Sequence, residues 1–144
     1  MFDVKRILHP TDFSDCSARA FAAACDVAVK YGAELHLLHV VSYSAMGSAY
    51  APVEGAVVTD WLAEAREQVE RKLGELVAPA GVEVERAIAE GVPSVEIERY
   101  CGDNDIDLAV VGTHGRSGLP HLVIGSVAER LVRQAPCAVM TIKS

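Results

Sequence analysis

The sequence predicts a doubly wound α/β fold, with a five-stranded parallel sheet sandwiched by helices. Three observations carry that expectation. Five short apolar runs recur along the chain, and the last of them, "CAVMTI", is apolar at almost every position, as strands buried on both faces are. Between the runs, apolar residues recur at helical spacing. The chain has 144 residues, 51% of them hydrophobic and 23% charged, which suits one domain spanning 1–144 with a core of its own. Strands that alternate with helices form βαβ units with right-handed crossovers, and hence a mostly parallel sheet.

The elements follow in order. Val4, Ile7 and Leu8 belong to a first strand that ends in the breaker-rich "HPTDFSD". Ala18, Phe21, Ala22, Cys25 and Val29 then mark a helix, with Ser14 as its N-cap and Gly32 as its stop. "ELHLLHVV" (34–41) reads as a buried strand. The segment 42–56 has no period of either kind, so it is either disordered or a lid over a ligand. Leu62, Ala65, Val69, Leu73 and Leu76 form the stripe of a second helix whose charged residues face water. "GVEVERAI" (81–88) is a third strand, and Pro93 suits the first turn of a short helix. "DLAVV" (107–111) is the fourth strand. Val127, Ala128, Leu131 and Val132 mark a last helix, and 137–142 the fifth strand.

Charge and cysteine usage narrow the function. A net charge of -7, with no basic stripe, argues against nucleic acid as a partner. The start "MFDVKRILHP" lacks the apolar region of a signal peptide, and no run approaches the roughly 18 apolar residues of a membrane span. A cytoplasmic location and no membrane partner are expected. Cys16, Cys25, Cys101 and Cys137 show neither a CxxC pair nor metal-finger spacing, so reduced structural thiols are expected. Nine residues separate Cys16 from Cys25, which at about 100° per residue places them on opposite faces of one helix.

In sheets of this kind ligands sit beyond the carboxyl ends of strands, where the winding direction reverses. Three segments qualify: "PTDFS", the residues around Val40, and "GTHGRSGLPHLVIGS" (112–126). The last has the makings of a phosphate site. Gly112, Gly115 and Gly118 open a loop whose backbone N–H groups nothing would block, and Gly125-Ser126 stands where a helix begins. Arg116 adds a fixed positive charge able to grip phosphate through two bonds. On chemistry alone the loop is either an anion site or a glycine-rich turn. GxxxxGK[ST] does not occur, and GxGxxG does not follow the first strand, which disfavours phosphate-loop hydrolases and ordinary dinucleotide folds.

"ILHPTDFS", "LLHVV" and Gly112-x2-Gly115-x9-Gly125-Ser126 leading into "VAERLVRQAPCAVM" resemble the universal stress protein family, in its ATP-binding branch. The resemblance covers essentially the whole chain. It implies a Rossmann-like sheet, akin to adenine nucleotide alpha hydrolases, with ATP across the ends of strands 1, 2 and 4. Asp12 would meet the adenine and ribose region beside Pro10 and Thr11, and Val40 would offer backbone polar groups to the base. Val111 and Gly112 would line the ribose side. Gly115, Arg116, Gly125, Ser126 and Val127 would hold the phosphates, His114 would contribute, and Mg²⁺ would arrive with ATP. Ser42 stands where the family often has an acidic residue, and Ala138 where it often has proline.

Each of these residues also has a plainer reading. Asp12 could only cap the first helix or its turn. His9, His36 and His39 alternate with apolar neighbours, where packing or a satisfied hydrogen bond is the default. The leading functional expectation is a nucleotide-dependent regulatory protein with no catalytic residues. A slow ATP hydrolase is the alternative, disfavoured because the loop holds no carboxylate to act as a base. A nucleotide-free interaction module is the third, and the intact glycines count against it. A signalling receiver domain would want an acidic cluster after strand 3, where this chain has "AIAEG". If the fifth strand lies at the sheet edge, two chains are expected to pair there as a homodimer.

Overall fold

The structure is a computed structural model that describes residues 1–42, 55–114 and 124–144. Its elements run β1 (Arg6–Pro10), α1 (Asp15–Tyr31), β2 (Glu34–Val41), α2 (Gly55–Glu75), β3 (Val84–Glu90), α3 (Pro93–Asp103), β4 (Leu108–Gly112), α4 (Ser126–Gln134) and β5 (Ala138–Ile142). The five strands form one sheet in the order β3-β2-β1-β4-β5, and every pairing is parallel. The doubly wound sheet read from the sequence is the observed fold.

Period-two alternation sorts the strand side chains into two cores. Ile7, Leu35, Leu37, Val41, Leu108 and Val110 pack on one face with Ala20, Ala24 and Ala28 of α1 and Val69 and Leu73 of α2. Leu8, Leu38, Val40, Ala109 and Val111 pack on the other with Ile97 of α3 and Ala128 and Leu131 of α4. The winding therefore reverses between β1 and β4, the strands that end in "PTDFS" and in the glycine stretch.

Local signals set most of the boundaries. Ser14 caps α1 by accepting from the Ser17 N–H at 3.2 Å, and Gly32 ends it in the left-handed region at φ 64°. Pro93 occupies the first turn of α3. β3 begins three residues later than "GVEVERAI" suggests. Gly81 adopts φ 89° and Val82 N–H donates to Pro79 O at 3.2 Å, so a turn takes up the start of that run.

The buried side of α1 differs from the stripe read in the sequence. Cys16, Ser17, Ala20, Ala24, Cys25 and Ala28 are buried, whereas Ala18 and Ala22 are exposed and Val29 is 56% exposed. The helix is rotated by about one residue's angular step, on the order of 100°. Small residues let it sit close to the sheet, and that gain outweighs burying Val29. Cys16 and Cys25 are both buried as a result, because the helix's first turn faces the sheet edge and its middle faces the core.

Candidate functional site

β1 and β4 deliver their carboxyl ends side by side at the reversal point, with Pro10, Thr11 and Asp12 on one and Val111, Gly112, Thr113 and His114 on the other. Thr11 fixes the first of these ends. Its N–H donates to Leu38 O at 2.8 Å, its carbonyl accepts from the His39 ring at 2.7 Å, and its hydroxyl oxygen accepts from Phe13 N–H at 3.0 Å and from the Ser17 hydroxyl at 2.8 Å. Asp12 Oδ1 accepts from Ser14 N–H at 2.9 Å, so this carboxylate braces the turn while Ser14 caps the helix. The turn puts Phe13 at φ 63°, outside the usual range for a side chain-bearing residue. Its ring stacks on His39, with centroids 4.9 Å apart, and Lys72 Nζ lies 5.3 Å from its centre.

His9 ties the two strands together just behind the site. It is fully buried, and its Nδ1 lies 3.0 Å from Val110 O. A carbonyl there requires the Nδ1–H tautomer. Burial lowers the His9 pKa to about 4, against the opposing pull of the Val110 carbonyl and the Asp12 charge, so the ring is neutral at pH 7. His36 is also buried and meets Tyr100 Oη at 2.8 Å. The three strand histidines are thus held by packing and hydrogen bonds.

The second strand end is built around two glycines. A Cβ on Gly112 would stand 2.7 Å from Cys16 Sγ and 3.2 Å from Cys16 O, so only glycine lets β4 pass the start of α1. Gly125 N–H donates to Thr113 O at 2.6 Å, which docks the start of α4 against the end of β4. Gly125 has φ -61° and ψ 153°, a conformation any residue adopts. A Cβ there would lie 3.1 Å from Thr113 O, so the glycine is needed for close approach and not for the turn. As N-cap it offers no side chain to the first turn of α4, and the first N–H groups of the helix, beginning with Ser126 and Val127, have no intrahelical acceptor.

His114 Nδ1 lies 3.0 Å from both Thr113 Oγ1 and Ser144 Oγ. Val40 lies on β2 past Leu38, where the pairing with β1 ends, and so stands beyond the end of Pro10. Pro10, Thr11, Asp12, Val111, Gly112 and His114 are brought together at the reversal point, with Gly125, Ser126 and Val127 held against them through Thr113. Gly115 and Arg116 lie outside the described residues, as do 43–54 of the 42–56 segment.

Thr113 and Cys16 are the residues that sequence reasoning missed. Thr113 is buried, donates its N–H to Ile142 O at 2.9 Å and supplies the carbonyl that docks α4. Its position between Gly112 and His114 gave no chemical signal. A separate cleft of about 300 Å³ opens between α1 and α2, lined by Thr11, Phe13, Ser17, Phe21, Lys72 and Leu76 among others. It borders the β1 end of the site through Thr11, Phe13 and Ser14. Among the described residues, no cluster of three or more His, Cys, Asp or Glu side chains is placed to hold a metal ion.

An all-parallel, doubly wound sheet, with the "PTDFS" turn of β1 and the glycine-built end of β4 side by side at the reversal point, defines the Rossmann-like class of α/β domain. Within that class the chain belongs to the universal stress protein family, whose model matches residues 3–143. Over 139 residues it is 33% identical to the universal stress protein MJ0531 of Methanocaldococcus jannaschii, covering 96% of this chain and 82% of that protein. The universal stress protein UspA from Lactobacillus plantarum superposes with a TM-score of 0.77 at 31% identity, over 98% of this chain and 99% of the other. A universal stress protein from Archaeoglobus fulgidus, solved in complex with dAMP, shares the fold at a TM-score of 0.63 and 20% identity, over 99% and 100% of the chains.

Proposed function

We propose that this protein binds ATP, with Mg²⁺ carried on the phosphates, across the carboxyl ends of β1, β2 and β4, and that nucleotide occupancy regulates its interactions. The observation that carries this reading is the glycine N-cap of α4, docked against the end of β4. Gly125 brings the helix against Thr113 O and, as N-cap, supplies no side chain of its own to the first turn, whose backbone N–H groups and positive dipole end suit an anion. The dAMP complex of the Archaeoglobus relative supports an adenine nucleotide as the ligand of the shared fold. Thr11, Asp12 and Val40 belong to the adenine and ribose end, Val111 and Gly112 to the ribose side. His114, Gly115, Arg116, Gly125, Ser126 and Val127 belong to the phosphates. Asp12 already accepts from Ser14 N–H, a bracing role that favours regulation over hydrolysis.

Long-range electrostatics oppose the ligand, since the chain carries a net charge of -7. Screening over about 8 Å at physiological salt confines that penalty. Local donors therefore decide the affinity, and the helix dipole supplies up to about 2 kcal/mol of it in favourable geometry. Titration calorimetry with ATP and Mg²⁺ tests this, with circular dichroism as the folding control. Gly125→Val is expected to weaken binding at least about tenfold, or about 1.4 kcal/mol, while the protein stays folded. Asp12→Ala weakens it through the other end of the ligand. No heat of binding up to millimolar ATP, or a folded Gly125→Val that binds like wild type, overturns the proposal.

A further inference from the structure

The cleft between α1 and α2 has apolar walls. Phe13, Ala18 and Phe21 come from the turn before α1 and from its first half, and Leu76 follows the end of α2. Thr11 and Ser17 border it as well, but the Ser17 hydroxyl donates to Thr11 Oγ1 at 2.8 Å and the same oxygen accepts from Phe13 N–H at 3.0 Å, so these hydroxyls bond within the wall. The volume of about 300 Å³ is at the lower end for small-molecule sites. A ligand of this cleft is therefore small and largely apolar.

Two opposite charges stand at its rim. Lys72 and Glu75 lie three residues apart on α2, the spacing at which helix side chains are neighbours. They do not pair with each other, and among the described residues neither has another ion-pair partner. Lys72 Nζ lies instead 5.3 Å from the centre of the Phe13 ring. The Ser14 hydroxyl oxygen accepts from Ser17 N–H at 3.2 Å, and its own hydrogen has no acceptor among the described residues. Phe13 itself is held at φ 63°, a backbone strain of the kind that recurs at ligand clamps.

We infer that the cleft binds a free α-amino acid with an apolar side chain, of leucine to phenylalanine size. The ligand's carboxylate meets Lys72 and the Ser14 hydroxyl, its ammonium group meets Glu75, and its side chain lies against Phe13, Phe21 and Leu76. A zwitterion matches both rim charges at once, whereas a plain carboxylate or a plain amine leaves one of them unmatched. It also carries no net charge, so the net charge of -7 on the chain does not repel it. Burial of the apolar side chain supplies the affinity, and the rim charges select the head group. The site adjoins the strand ends through Thr11, Phe13 and Ser14 and needs no nucleotide.

The test titrates the full chain with L-leucine and with L-phenylalanine in a calorimeter, without nucleotide and then with saturating ATP and Mg²⁺. At least one of the two binds saturably, one to one, and its N-acetyl and amide derivatives bind at least about tenfold more weakly. Lys72→Gln weakens the amino acid but leaves the amide derivative unchanged, and Glu75→Gln weakens the amino acid but leaves the N-acetyl derivative unchanged. Ala18→Trp fills the cleft and abolishes binding. Circular dichroism establishes that each variant folds. Absence of saturable binding of both amino acids up to millimolar concentration, derivatives that bind as well as the parent, folded variants that bind like wild type, or displacement of the amino acid by ATP overturns the inference.

Discussion

His9 sits at the centre of the sheet as a neutral ring, and that has a measurable cost in acid. Its folded-state pKa is about 4 against about 6.5 in the unfolded chain, so protons bind the unfolded state more readily between those values. The stability this residue contributes is complete above pH 6.5 and is lost as the pH falls from there toward 4. The full loss is about 3 kcal/mol. Urea unfolding at pH 7 and pH 4.5 should show a clearly smaller pH dependence in His9→Asn than in wild type. Equal slopes for the two proteins would remove His9 from the account. Gly112 gives a second test at this scale. Gly112→Ala forces its methyl into Cys16 Sγ and should destabilise by about 1–3 kcal/mol. Adding Cys16→Ala should recover part of that loss, and only part, because Cys16 O remains 3.2 Å from the same position. Independent, additive effects in the double variant would show that the two residues do not meet.

Among the elements, β5 has an unfinished side. It lies at the sheet edge, and although its sequence is largely apolar, Ala138, Met140 and Thr141 are exposed. Ala138 N–H donates inward to Asp107 O and Ile142 O accepts inward from Thr113, so by alternation the N–H groups of Val139 and Thr141 point outward. An apolar edge with free ladder positions is a template for a second chain. We propose that two copies pair through 137–142. Val139→Pro removes an outward donor and leaves the inward ladder with β4 intact. Sedimentation at micromolar concentration should give about twice 15.3 kDa for wild type and a shift toward monomer for the variant. A monomeric wild type contradicts the pairing. The α1 helix teaches the opposite lesson about edges and faces. Eleven of its positions from 16 to 29 are alanine, cysteine, valine or phenylalanine, so its sequence alone cannot say which side is buried.

At the scale of the molecule, the fold was legible because each buried strand reads as an apolar run and each crossover as a helical period. The two-layer core then follows from the rules of parallel sheets, whereas the strand order β3-β2-β1-β4-β5 is set by packing that no single segment records. The candidate site was half legible. Its glycine spacing and the "PTDFS" turn are local signals, and the structure places the turn, Gly112 and Gly125 at the reversal point, while Gly115 lies outside the described residues. The reasons behind them are not local. Gly112 is required by Cys16, which arrives from the other end of the chain, and Gly125 by the carbonyl of Thr113. The polar braces were equally silent: a buried histidine and a threonine that accepts two hydrogen bonds look in sequence like ordinary strand-end residues.

The strand order also governs when the protein can come into being. β1 is among the first elements made, yet its neighbour β4 enters much later, and the bond from His9 to Val110 spans 101 residues. At a synthesis rate of about 5–20 residues per second, that interval lasts roughly 5–20 s. Throughout it the β4-facing side of β1 is bare, even after β2 and then β3 have been made. Non-local closure of this kind is slow and leaves the chain open to aggregation. The site at the reversal point comes into existence only when that gap closes, so the nucleotide proposed for it would meet the finished chain and not the early one.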